Sequence, residues 1–357
     1  MKLKVLIIQQ KMIGDVLATS ILFEAIKQKY PDAELHYVLN SHTYSVVEGN
    51  PYIDKLHFFT PEHEKSKRKL WQFANQLREE KFDVVIDAYS LLSSNIMSLR
   101  SKAKIKISID KNRNSLIYNH TFRNKSEAKT NAGLAIENRL QLLEPLNIDT
   151  SKIVRPKIYL TEVEKNNAKQ FLESNGIDLK KPIFMIGVLG SEQNKTYPFV
   201  YMAEIIDTIV NELPESQILF NYIPKQEADA KAIFELCQAE TKSHIFFNVF
   251  GKSLRDFLTI TSHCKALIGN EGGATNMAKA LNIPTFTIFS PWIKKEAWNM
   301  FDDGLKHVSV HLKDYNKNVY RNVSHPKELK SKASNLYEEF NPSFFEKKLK
   351  DFLEVVN

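Results

Sequence analysis

Hydrophobic and polar positions along this chain switch repeatedly between two periods. Short apolar runs at Lys4 to Gln9, Glu34 to Leu39, Lys55 to Phe59 and Phe82 to Tyr89 read as buried strands. From Val16 to Tyr30 the spacing instead puts Leu17, Ile21, Leu22, Ala25 and Ile26 on one helical side, and Pro31-Asp32 ends it. Lys69 to Glu80 predicts another helix, Ile105 to Ile109 a short strand, and the region around Ala135 to Leu146 a helix. Strands alternating with helices predict a parallel, doubly wound α/β sheet.

Near Arg155-Pro156 the alternation restarts. Thr161 and Glu164 form a capping box that opens a helix to about Asn175. Strands are predicted at Ile183 to Val188, Gln217 to Tyr222, His244 to Val249, Ala266 to Ile268 and Thr285 to Phe289. Helices are predicted at Phe199 to Glu212, Glu227 to Ala239 and Ser253 to His263. Asn341-Pro342-Ser343, with Glu346 three residues after Ser343, predicts a capped final helix from Phe344 to Val356. A chain of 357 residues exceeds what one core serves, so two α/β domains are expected, residues 1–155 and 156–340, followed by the closing helix, 341–357.

Composition narrows the class. Hydrophobic residues at 43% and charged residues at 25% describe a soluble globular protein, and no apolar run is long enough to span a bilayer. Met1-Lys2-Leu3-Lys4 leads straight into a strand, without a signal region. Cys237 and Cys264 lack metal spacing and read as buried thiols in a reducing cytoplasm. The net charge is +7, and Arg100 to Lys129 alone carries nine Lys or Arg against Asp110 and Glu127, also +7. Such a segment is a solvated face, or it attracts an anionic membrane surface or a phosphorylated acceptor. No nucleic-acid-binding module accompanies it, so nucleic acid is not expected as a partner.

Three turns carry candidate chemistry. In Ile268 to Leu281 an apolar run meets the polar turn Asn270-Glu271-Gly272-Gly273, and a small-residue helix leaves it. In an open α/β sheet ligands bind at the carboxyl ends of strands, and a helix N-terminus offers free N–H groups to phosphate. A tight packing turn is the other reading. Gly14-Asp15 follows the first strand, and Asp15 there is a helix-start acid or a general base. The loop from Gly187 through Gly190, Lys195 and Thr196 to Pro198 offers a lysine and hydroxyls suited to phosphate oxygens, yet lacks the P-loop pattern. Glu227, after another strand, either holds ribose hydroxyls or caps a helix.

Taken together these stretches resemble one family. The order Ile13-Gly14-Asp15-Val16-Leu17 and Pro31-Asp32-Ala33-Glu34 is similar to the start of the heptosyltransferases of glycosyltransferase family 9. Asn194-Lys195-Thr196-Tyr197-Pro198 resembles that family's Lys-x-Trp-Pro element. Ile268 to Leu281 resembles its Asn-Asp-Ser-Gly-Pro-x-His-Leu-Ala-x-Ala-Leu signature, and Thr287 to Pro291 its Leu-Phe-Gly-Pro. Matches run in order from residue 3 to about 298. The chain departs from the pattern at Glu271 (Asp in the family), Asn276 (His), Tyr197 (Trp), Ser290 (Gly) and Gln9-Gln10-Lys11.

The resemblance implies a GT-B fold, two Rossmann-like domains facing a cleft, with the closing helix packed back on the first. It implies an inverting, metal-independent displacement with no cofactor beyond the nucleotide-sugar substrate. Heptose from ADP-heptose would pass to a lipopolysaccharide, lipid-linked or polysaccharide acceptor, in the cytoplasm or at the inner face of the membrane. Asp15 would be the general base and Lys195 would neutralise the diphosphate. Gly14, Gly190, Thr196, Asn270, Glu271, Gly272, Gly273 and Asn276 would line the donor, with Glu227 beside the nucleoside. Arg100, Lys102, Lys104, Lys106, Lys111 and Arg113 would face the acceptor or the membrane. The alternatives are a catalytically altered member that binds nucleotide-sugar or glycan, and a nucleotide-sugar epimerase of the same fold.

Overall fold

A computed structural model describes residues 2–111, 116–321, 323 and 325–357. The chain divides into two compact units, Met1–Tyr159 and Leu160–Asn357.

The first unit is built on a parallel sheet of six strands: β1 (Lys4–Ile8), β2 (Glu34–Asn40), β3 (Lys55–Phe59), β4 (Val84–Asp87), β5 (Ile105–Ile109) and β6 (His120–Phe122). Their spatial order is β3-β2-β1-β4-β5-β6. Val5 to Ile8 of β1 and Val84 to Ile86 of β4 are almost fully buried, as a central strand covered on both faces requires. The chain leaves β1 toward one side of the sheet and β4 toward the other, which opens a crevice at their carboxyl ends.

The second unit carries a five-stranded parallel sheet: β7 (Ile183–Gly187), β8 (Gln217–Phe220), β9 (Ala266–Asn270), β10 (Thr285–Ile288) and β11 (His307–Val310), ordered β11-β10-β9-β7-β8. Here the order reverses between β7 and β9, so the loops following those two strands flank the switch point.

Several expectations change. The single helix predicted from Val16 to Tyr30 is two, Ile13–Thr19 and Ile21–Lys29, joined at Ser20. The helix around Ala135 to Leu146 is an α-helix, Leu134–Leu140, continued as a 3₁₀ segment, Gln141–Leu146, because Pro145 cannot donate an α-helical bond. His244 to Val249 is not a strand. The Ala239–His244 helix ends there, and only an isolated bridge joins Ile245 to Ile218. The helix Leu92–Arg100 and strands β6 and β11 were not predicted; β6 is three residues long, too short to show a period.

The closing helix also needs correction. It runs Glu346–Val356, after a 3₁₀ turn at Pro342–Phe344. Leu349, Phe352, Leu353 and Val356 of this helix are buried in the core of the second unit. Phe286 of β10 lies against Phe345 and Phe352 there, with ring centroids 5.9 Å and 5.7 Å away. The aromatic side chains of this segment thus complete the second sheet's cover. Among the described residues no helix is long and apolar enough to cross a membrane.

Candidate functional site

In the first unit the crevice between β1 and β4 is lined by buried polar side chains. Asp15 occupies the first turn of the Ile13–Thr19 helix. Its Oδ1 accepts from Arg139 Nη2 at 2.6 Å, and Oδ2 receives only a long contact, 3.4 Å, from the Met12 N–H. Arg139 is 8% exposed and is fixed by further donations, Nε to Thr19 Oγ1 at 2.8 Å, Nη1 to the Ala135 carbonyl at 2.6 Å and Nη2 to the Asp15 carbonyl at 3.4 Å. The Asp15 side chain keeps 24% of its surface open. One carboxylate oxygen is therefore clamped, and the other is held only by the long Met12 contact.

Arg139 was missed by sequence reasoning. Its signal was a cation inside the apolar run Leu134–Leu140, since a buried guanidinium needs an acid partner. Asp87, at the end of β4, was missed as well. It is fully buried, accepts from the Ser90 and Tyr89 N–H groups, and receives the Tyr118 hydroxyl at 2.5 Å. Burial raises its carboxyl above the usual range, against the pull of those donors. Gln10, 1% exposed, accepts from Ser93 Oγ at 2.7 Å while its amide nitrogen has no partner.

In the second unit the two loops at the switch point are tied together. Asn270, closing β9, accepts from the Tyr197 N–H at 2.7 Å and donates to the Gly187 and Val188 carbonyls at 2.9 Å and 3.0 Å. Its side chain is thus engaged in joining the ends of β7 and β9. Gly269 has φ +135°, and a Cβ there would collide with Gly187. Gly190 lies so close to the Lys195 carbonyl that a Cβ would collide with it, and its N–H donates to Thr196 Oγ1 at 3.0 Å. Tyr197, where the family pattern has Trp, is buried and donates its hydroxyl to the Phe340 carbonyl.

Lys195 emerges from this frame. Its Nζ lies 3.5 Å from Glu271 Oε1 and 5.6 Å from the Trp292 ring centre. Trp292 Nε1 and Ser290 Oγ both donate to the Asn194 carbonyl, at 2.9 Å and 2.7 Å, which fixes the loop carrying the lysine. Glu271 is 9% exposed, and burial raises its carboxyl above the usual range although Lys195 pulls it down. Gly272 and Gly273 leave the start of the Gly273–Ala280 helix accessible, with Asn276 half-buried in its first turn. The helix start and the Lys195 ammonium thus both adjoin Glu271, and a helix N-terminus and an ammonium are the kinds of group that attract anions.

The remaining predicted residues fall out differently. Gly14 lies in the helix carrying Asp15. Glu227 is exposed, at the start of the Glu227–Leu236 helix, and Gln226 beside it donates to the Gly190 carbonyl at 3.0 Å. The basic segment is not a uniform face. Arg100 is held by Asn75 and lies 4.3 Å from the Trp71 ring, and Lys111 donates to the Tyr89 carbonyl at 2.9 Å. Lys102 and Lys104 are exposed and Lys106 is half-buried; Arg113 lies outside the described residues. Lys129 and Thr130 donate backbone N–H bonds of 2.8 Å to buried Glu137, so this end of the segment is anchored.

One group of metal-ligating types converges among the described residues: His36, His57 and Glu80, with ligand atoms within 4.8 Å of one another. Its members already satisfy one another and their neighbours. His36 Nδ1 meets His57 Nε2 at 2.9 Å, and Glu80 holds Lys4 at 2.6 Å and also Lys55. It lies toward the amino-terminal ends of β1 and β4, away from the crevice. Cys237 and Cys264 are buried free thiols, Cys237 pushed up to about 12 by burial.

Comparison with known proteins fits this geometry. The chain is 26% identical over 293 residues to lipopolysaccharide heptosyltransferase 1 of Campylobacter coli, covering 80% of this chain and 84% of that one. Its fold matches the family 9 glycosyl transferase of Veillonella parvula with a TM-score of 0.76 at 18% identity, covering 94% and 97% of the two chains. It matches the E. coli heptosyltransferase WaaC with ADP-2-deoxy-2-fluoro heptose at a TM-score of 0.65 and 18% identity, covering 95% and 99%. The two parallel sheets thus form the GT-B fold. The family model for glycosyltransferase family 9 (heptosyltransferase) matches residues 70–327, well over half of the chain. The chain is therefore a glycosyltransferase and belongs to glycosyltransferase family 9.

Proposed function

We propose that this protein transfers heptose from ADP-heptose to a lipopolysaccharide or related surface-glycan acceptor by a single inverting displacement. The observation that carries the reading is the anion-binding corner at the second switch point, where Lys195 stands beside the open N-terminus of the Gly273–Ala280 helix. A diphosphate leaving group needs positive charge placed before the reaction, and these groups supply it. Thr196 and Gly190 hold the loop that carries the lysine, and in this reading Glu227, exposed at its helix start, takes the nucleoside.

In this reading Asp15 is the general base. The acceptor hydroxyl oxygen attacks the anomeric carbon, and its proton passes to Asp15 Oδ2. The bond from that carbon to the phosphate oxygen breaks, and the electron pair leaves on the diphosphate beside Lys195. Arg139 holds Oδ1, so the carboxylate does not rotate and Oδ2 keeps its position. No metal is required for this step, and EDTA leaves turnover unchanged. Exposed Lys102 and Lys104 attract the anionic acceptor or membrane surface.

The test is transfer from ADP-heptose to a heptose-deficient core acceptor, alongside calorimetric titration with ADP. Asp15→Asn lowers turnover about 1,000-fold or more while ADP affinity is retained. Retained turnover rejects Asp15 as the base. Loss of donor without acceptor moves the assignment to epimerase chemistry, and ADP binding without turnover on any acceptor to a binding protein.

A further inference from the structure

Two helices of the first unit, Lys67–Glu79 and Leu92–Arg100, share a core with its sheet. Phe73, Ala74 and Leu77 of the first and Met97 of the second are buried with Leu6, Ile8 and Val85 of β1 and β4. The other side of the Lys67–Glu79 helix is strongly one-signed. Lys67, Trp71, Asn75 and Arg78 recur at helical spacing along one flank, with Arg68 beside Lys67. Arg100, ending the second helix, reaches across to this flank. Its guanidinium lies over the Trp71 ring, 4.3 Å from the centre, and its Nε donates to Asn75 Oδ1 at 3.1 Å. Leu99 precedes it, and Lys102 and Lys104 follow it, all three exposed.

Two properties set this face apart from ordinary solvated surface. The first is its unanswered charge. Arg100 is held by a neutral amide, and Lys67, Arg68, Arg78, Lys102 and Lys104 make no ion pair among the described residues. The acids nearby are engaged by other cations: Glu62 by Lys69, Glu64 by Lys11, and Glu80 by Lys4 and Lys55. Glu79 stands at the far end of the flank, beside Arg78. The second property is apolar area set among the cations, with Trp71 49% and Leu99 55% exposed. An indole with an apolar body and a polar N–H, ringed by Lys and Arg, fits the boundary between lipid headgroups and acyl chains. Single-stranded nucleic acid would need a free ring to stack on, and Arg100 already covers Trp71.

We propose that this two-helix face docks on an anionic phospholipid surface, with Trp71 and Leu99 entering the headgroup boundary and the surrounding cations meeting lipid phosphates. Lys102 and Lys104 then belong to a lipid-binding face that works with or without donor, acceptor or turnover.

Co-sedimentation of the full chain with phosphatidylethanolamine–phosphatidylglycerol vesicles, and with phosphatidylcholine vesicles, tests it. Each basic residue brought to an anionic surface strengthens binding about fivefold, so Lys67→Gln/Arg68→Gln/Arg78→Gln weakens binding to the anionic vesicles about a hundredfold. The charge-keeping variant Lys67→Arg/Arg68→Lys/Arg78→Lys retains binding, and both variants melt as the wild type does. Brominated acyl chains in the anionic vesicles quench wild-type fluorescence, and Trp71→Phe removes most of that quenching while the protein stays bound. Equal binding to both vesicle types, undiminished binding by the glutamine variant, or quenching unchanged by Trp71→Phe overturns the face. Wild type that binds the anionic vesicles yet transfers no sugar supports the face and counts only against the proposed reaction.

Discussion

The two carboxylates at the two switch points are in opposite conditions. Asp15 in the first unit is met by a buried guanidinium that is itself tied down twice. Glu271 in the second is more deeply buried, yet one oxygen has no hydrogen bond and its cation stands off at 3.5 Å. Both follow a central strand and begin a helix, so position alone does not explain the contrast. In the proposed mechanism the base is oriented before its substrate arrives, and the Arg139 clamp on Asp15 supplies that orientation. Glu271 has no such clamp and is held by burial beside one cation. The difference separates a carboxylate fixed in direction from one that is only enclosed.

Breaking the frame of the second site has the largest effect on stability. Asn270→Ala leaves the Tyr197 N–H and the Gly187 and Val188 carbonyls without their partner. It lowers unfolding free energy by about 3 kcal/mol or more in denaturant titration, and donor affinity falls with it. Arg139→Leu attacks the closed side of the comparison. It strands a partly buried carboxylate and removes about 2–3 kcal/mol, with turnover reduced while ADP binding persists. Unchanged turnover in a folded Arg139→Leu protein counts against its orienting role.

Acid sharpens a parallel contrast between the units. Burial holds His57 in the first and His311 in the second down to about 4. Each is neutral when folded but takes a proton when unfolded below about 6.5. Stability is therefore full above that value and falls as pH drops toward 4, by about 1 kcal/mol for each imidazole after partial screening. Melting temperature followed from pH 7 to 4.5 shows the decline, and His57→Gln makes it shallower. The smallest effect has the opposite sign. Thr287→Val removes an unpaired buried hydroxyl and raises stability by about 0.5–1 kcal/mol in the ligand-free protein.

Much of the architecture was legible because central strands such as Val84 to Ile86 are continuous apolar runs and the Thr161–Glu164 capping box announces its helix. The closing helix was legible as a helix, but its contacts inside the second unit were not. Its apolar face states only that it packs, and Phe286, which it meets, is far away in sequence. The Lys195 loop and the glycine turn stood out in the sequence because their residue types suit phosphate. Arg139 did not, since a partner for Asp15 more than a hundred residues away leaves no local spacing. The backbone bonds of Asn270 were not legible, because an amide that binds backbone looks the same in sequence as one that binds a ligand.

The Asn270 bridge has a kinetic consequence. Hydrogen bonds from one side chain hold the ends of β7 and β9 to each other, so the loops on either side of the anion corner have little freedom left to lose. If the proposed function holds, a donor arriving there meets loops already tied together, and the entropy normally given up in ordering a loop is absent from its affinity. Capture of the nucleotide is then governed by diffusion and electrostatic attraction, with an association rate that depends on salt far more than on the refolding of the loop.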